Sequence, residues 1–127
     1  MSAEREVFKQ MGRLAEQRKI FLDVLNDSAR RLIRVAIREF VLEHPEVESL
    51  NWGQTAQNGE IVMVSSLNIN IDGHPWWASH LKDRNPQLSK CLEVLNDNCH
   101  SFPEAMIAEF GIGKVSITQE IAKNIGV

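Results

Sequence analysis

From Ala3 to Glu43 the chain is a continuous series of good helix formers, and nothing else in the sequence restricts the fold as strongly. Val7, Met11, Leu14, Phe21, Leu25, Leu32, Ala36 and Phe40 recur at spacings of three and four, the signature of one apolar helical stripe. A second strip, Leu22, Ala29, Ile33 and Ile37, widens the apolar face in the C-terminal half, which predicts burial there and a narrower seam before it. Pro45 disfavours the α conformation at His44 and stops the helix. A helix of that length would run about 60 Å at ~1.5 Å per residue, nearly twice the width of a compact domain of this size. Either the chain bends near Asn26-Asp27-Ser28, whose side chains can cap a new helix, or the N-terminal half projects. The approximate heptad of Val7, Met11, Leu14, Phe21 and Leu25, interrupted by Arg18, favours projection, with residues 1–25 as an oligomerisation segment.

After Pro45 the apolar period changes to two. Leu50 to Gln57 and Glu60 to Asp72 read as strands joined by an Asn58-Gly59 turn, since Asn-Gly supplies the positive φ such turns require. Along the second strand Ile61, Met63, Leu67, Ile69 and Ile71 share one face, and Ser66, Asn68, Asn70 and Asp72 the other. Asp72-Gly73 marks a further turn, followed by a segment from His74 to His80 that fits either a short strand or a loop. Asn85-Pro86 opens a helix with Leu88, Cys91, Leu92, Leu95 and Cys99 facing inward. Ser101 and Glu104 have capping-box spacing ahead of a short helix bearing Met106, Ile107 and Phe110 and ending at Gly111. Lys114 to Thr118 alternates as a last strand with Val115 and Ile117 inward.

A chain of 127 residues, 43% hydrophobic and 24% charged, has the size and composition of one globular domain spanning residues 1–127. No apolar run approaches the length of a membrane span, and the mixed charges of the first residues do not resemble an export signal. Cys91 and Cys99 are too few for a disulfide scaffold, so reduced thiols in a cytoplasmic protein are expected. A net charge of −3 removes the bulk attraction on which non-specific nucleic-acid binding depends, and disfavours nucleic acid as a partner.

Asp72, His74, His80, Cys91, Cys99 and His100 are concentrated in sequence, but their spacing is poor for a structural zinc site, and no metal or cofactor is assigned. There is no nucleophile elbow, phosphate-binding glycine loop or His-Glu-x-x-His helix, and no catalytic residue is assigned. Arg30, Arg34 and Arg38, four apart, line one helical strip that can grip an anion, or equally form a solvated face with Asp27, Glu39 and Glu43 nearby. Trp76 and Trp77 are adjacent in an extended segment, so one points inward and the other toward solvent, a ligand or a partner. The C-terminal Thr118-Gln119-Glu120-Ile121-Ala122 run is similar to the first helix of helix-turn-helix domains. No recognition helix follows it in the sequence, so the likeness is treated as a decoy. The near-repeat of Leu22 to Asp27 in Leu92 to Asp97 does not extend on either side and is treated as coincidence.

The run from Phe40 to Trp52, containing His44-Pro45-Glu46-Val47-Glu48-Ser49, together with Phe110-Gly111 and Val115 to Thr118, resembles a group of small uncharacterised proteins of tailed bacteriophages. The likeness covers roughly two thirds of the chain and departs from the group's pattern after Gln54. It implies a helix ending at the proline, a strand beginning at the tryptophan, a closing strand after Phe-Gly, and a phage context. It implies no activity or cofactor.

The expected architecture is α+β: a long N-terminal amphipathic helix and a small antiparallel sheet with helices packed on one face. The leading functional expectation is a non-catalytic protein-protein interaction protein, homodimeric through its N-terminal helix. It would act as a phage accessory factor or an inhibitor of a host protein, binding through Trp76, Trp77, His74 and His80. A small anionic, nucleotide-like ligand held by Arg30, Arg34, Arg38, Asn68 and Asn70 is the alternative, and a metal-assisted hydrolase built on His74 and His80 a third.

Overall fold

The computed structural model describes residues 2–57 and 61–126. In chain order its elements are α1 (Ser2–Glu43), β1 (Ser49–Gln57), β2 (Ile61–Val64), β3 (Asn68–Ile71), β4 (His74–Trp76), α2 (Ala78–Leu81), α3 (Pro86–His100), α4 (Pro103–Phe110), β5 (Gly113–Thr118) and α5 (Gln119–Asn124). This is the expected α+β arrangement. The turn expected at Asn58-Gly59 lies outside the described residues.

The first helix continues through Asn26-Asp27-Ser28 without interruption, so of the two outcomes open to it the bend is not taken. Its residues change environment instead. Positions 3–25 are exposed, whereas Ala29, Ile33, Ile37, Phe40 and Val41 are buried. That division follows the widening of the apolar face: a single stripe finds no cover, and a double strip finds the core.

Every strand pairing is antiparallel, and β1 is central, with β5 along one edge. β2 and β3 follow one another along the other edge, Gln54 facing Val64 and Asn51 facing Asn68. Between those pairs the three residues 65–67 oppose the two residues 52 and 53, which makes a bulge. Gly53 N donates to Ser65 Oγ at 2.7 Å, Ser65 N donates to Gly53 O at 2.8 Å, and Leu67 N donates to Asn96 Oδ1 of α3 at 2.9 Å. The extra residue reverses the alternation. Met63, expected on the face of Leu67 and Ile69, is exposed, and Val64 packs against the core in its place. The segment left open between strand and loop divides: His74 to Trp76 form β4, joined to β3 by a two-residue turn in which Asp72 (φ 52°) and Gly73 (φ 78°) both take positive φ.

Leu50, Trp52, Ile69 and Ile117 from the sheet and Leu67 from its bulge share one core with α1, α3 and α4. The α3 helix starts as expected, Asn85 Oδ1 accepting from Leu88 N at 3.1 Å, and runs to His100. Its buried stripe is Leu88, Leu92, Leu95 and Cys99, while Cys91, expected inward, falls to the flank and is exposed. The capping box does not form. Ser101 instead closes α3, its Oγ donating to Asp97 O at 2.9 Å, and Phe102 precedes α4 without a side-chain cap.

Two buried ends of helices are completed by glutamine amides. Gln119 Nε2 faces three carbonyl oxygens at the end of α1, those of Val41 (2.8 Å), His44 (3.1 Å) and Val47 (2.8 Å). Gln54, fully buried, donates to Met106 O (3.0 Å) and Gly111 O (2.6 Å) at the end of α4 and accepts from Trp52 Nε1 (2.7 Å). The Val41 and His44 carbonyls also accept from the backbone N–H groups of His44 (3.3 Å) and Val47 (2.9 Å), so the Gln119 amide adds to a hydrogen-bonded helix end, and Gln54 links the end of α4 to β1; loss of either amide would remove buried hydrogen bonds. Gln119→Ala is therefore expected to lower stability by about 1–3 kcal/mol in urea denaturation, with Gln119→Glu destabilised as well because a carboxylate would face the same carbonyls.

Candidate functional site

The projecting half of α1 carries the largest exposed apolar surface among the described residues. Val7, Phe8, Met11, Leu14, Ile20, Phe21, Leu22, Val24 and Leu25 are each between 38% and 67% exposed. In heptad terms Val7, Leu14, Phe21 and Ser28 alternate with Met11, Arg18, Leu25 and Leu32 as one seam. The seam does not end where the domain begins. Leu25, Ser28, Ala29 and Leu32 continue it into an apolar cleft of about 340 Å³, closed on the far side by Leu95 and Cys99 of α3 and by Phe102.

The direction in which α1 leaves the domain is held by a charged clamp. Arg30 Nε donates to Glu109 Oε2 of α4 at 2.9 Å, and Arg34 Nη1 lies 3.1 Å from both carboxylate oxygens. The Glu109 side chain is 11% exposed, so the ion pairs are shielded more than ordinary surface contacts. Arg38 binds its neighbour Glu39 at 3.2 Å, and its Nε is buried with no partner among the described residues. Asn68 and Asn70 lie on the sheet face opposite buried Ile69, facing Asn51 and Ser49 across the ladder. The residues expected to hold an anion are thus not brought together: Arg30 and Arg34 already hold a carboxylate, and the two asparagines belong to the outer face of the sheet.

The tryptophans divide as their alternation requires. Trp76 is half-buried against the core, with the Arg84 guanidinium 4.7 Å from its ring centroid. Trp77, at the start of α2, is 37% exposed and meets the His80 ring edge-on at 5.8 Å. His74 lies exposed at the start of β4. No group of three or more His, Cys, Asp or Glu able to hold a metal ion occurs among the described residues. Burial pushes the Cys99 thiol up to about 12, which keeps it protonated and a poor nucleophile or ligand.

Sequence reasoning found the seam but missed Phe8, Ile20 and Val24, which lie off the heptad, and it missed Glu109, Gln54 and Gln119. A lone acid within Met106-Ile107-Ala108-Glu109-Phe110 was the available signal for the clamp.

Two outcomes are expected. In the native protein one thiol, Cys91, should react promptly with a thiol reagent, and Cys99 only after denaturation. Inorganic phosphate should leave the melting temperature of the native chain unchanged against a matched salt control. Glu109→Ala, which frees Arg30 and Arg34, should gain a phosphate-dependent rise that fades with added salt.

Among the described residues no helix is long and apolar enough to cross a membrane. No protein-family model, curated protein or solved structure matches the chain.

Proposed function

We propose that this chain is a non-catalytic protein-interaction protein whose principal binding element is the projecting half of α1, and that it acts in a phage context as an accessory factor or an inhibitor of a host protein. The observation that carries the reading is the apolar seam from Val7 to Leu25, exposed along its whole length. A lone helix of this kind is only marginally stable in water, and contiguous apolar surface of this extent marks a binding face. Groups suited to other chemistry are engaged within the fold: Arg30 and Arg34 hold Glu109, and Cys99 is buried. Trp77 with His80 forms a second, smaller exposed surface beside the shallow hollow lined by Ser66, Leu67 and Glu93.

The test is retention of partners by the tagged full-length chain, both of an untagged copy and of proteins in a bacterial lysate. Phe21→Lys should abolish retention of whatever is bound, and Trp77→Ala should preserve most of it. Retention that survives Phe21→Lys and disappears with Trp77→Ala would move the binding element to the tryptophan segment and overturn the reading.

A further inference from the structure

We infer that the occupant of the seam is a second copy of this chain, its α1 lying antiparallel to the first in one register: Val7 against the second copy's Leu32, Met11 against Ser28, Leu14 against Leu25, and Arg18 against Phe21. The inference rests on the proposed role of α1 in binding and adds the partner, the direction and the alignment.

Arg18 decides the direction. In a parallel, in-register pair each Arg18 would meet the other inside the apolar seam, two like charges with no compensating acid. In the antiparallel register each Arg18 instead lies against an aromatic ring, a favourable cation–π neighbour. Shifting that register by one heptad either way places Arg18 against Leu14 or Ser28 and forfeits the ring. The flanking positions agree. Phe8 falls opposite Ala29 and Ala15 opposite Leu22, large against small, while Gln10 faces Arg31 and Gln17 faces Val24, so no like charges meet.

The cleft decides the length. Leu25, Ser28, Ala29 and Leu32 line a hollow of about 340 Å³ that this chain leaves open where α1 meets α3. In the stated register the second copy's Val7 and Phe8 enter it, and the same contact recurs at the other end by two-fold symmetry. The paired seam from residue 7 to residue 32 is about 38 Å long at ~1.5 Å per residue. Each copy thereby covers the other's exposed stripe and fills the other's cleft.

Sedimentation of the full-length chain should show a dimer, and Leu14→Lys should weaken association by about 100-fold or more, leaving the core fold intact by near-ultraviolet circular dichroism. Direction and register are read by disulfide trapping in a Cys91→Ser background. A mixture of Leu14→Cys and Leu25→Cys chains should oxidise to a cross-linked heterodimer, while either alone stays uncross-linked. Cross-linking of Leu14→Cys with itself would overturn the antiparallel assignment. A wild-type chain that sediments as a monomer would overturn the second copy as occupant. If Phe21→Lys nonetheless loses a lysate partner that the monomer holds, the binding role of α1 stands without the dimer. If it changes nothing, both fall.

Discussion

The molecule depends on the burial of four turns of one helix. Ile33, Ile37, Phe40 and Val41 of α1 belong to the same continuous core as Leu50, Ile69 and Ile117 of the sheet and Leu88, Leu92 and Met106 of α3 and α4. Burying a helix end in this way brings its last carbonyl groups out of water, where an unpaired acceptor is costly. Gln119 and Gln54 add donors to the backbone hydrogen bonds at the ends of α1 and α4, each reaching from the sheet or its margin. Apolar burial holds the layers together without direction; these amides join the helix ends to the strands at defined points.

From that anchored portion the rest of α1 extends into solvent. Arg30 and Arg34, at the start of the buried part of α1, hold Glu109 of α4 and so tie the helix to the domain near its point of exit. Two of the arginines that could have met an external anion are satisfied from within. The apolar seam beyond it is not satisfied from within, and its continuity with the cleft at Ala29 and Leu32 makes projection and hollow two halves of one surface. The energetic logic of α1 is therefore opposite at its two ends: packed into the core and tied down by side-chain hydrogen bonds toward the C-terminal end, apolar and uncovered at the N-terminal end.

Much of this was legible because it is written in local spacing. The helix to Glu43, the Asp72-Gly73 turn with its two positive φ angles, the Asn85 cap and the final strand with Ile117 inward all rest on residues within a few positions of one another. The heptad that marks Val7, Met11, Leu14, Phe21 and Leu25 is of the same kind. What escaped was set by contacts at long range. Glu109 lies 79 residues from Arg30, and Gln119 lies 78 from Val41, so no spacing rule connects them. Met63 was misplaced because one additional residue at Ser65 to Leu67 reverses the alternation that a period of two assumes constant. Ser101 and Glu104 have the spacing of a capping box, yet the serine was drawn to the preceding helix, whose last carbonyls lay nearer.

The sequence by itself determined the element types and the existence of an apolar seam too long for the domain behind it, since periodicity and turn chemistry act over a few residues and need no tertiary partner. Only the tertiary structure decided where along α1 burial begins, which arginines remain free, which face Met63 and Cys91 occupy, and that the seam opens into a cleft. Each of those outcomes depends on which distant side chain arrives to cover a surface or accept a hydrogen bond, and that is a property of the packed chain rather than of any segment of it.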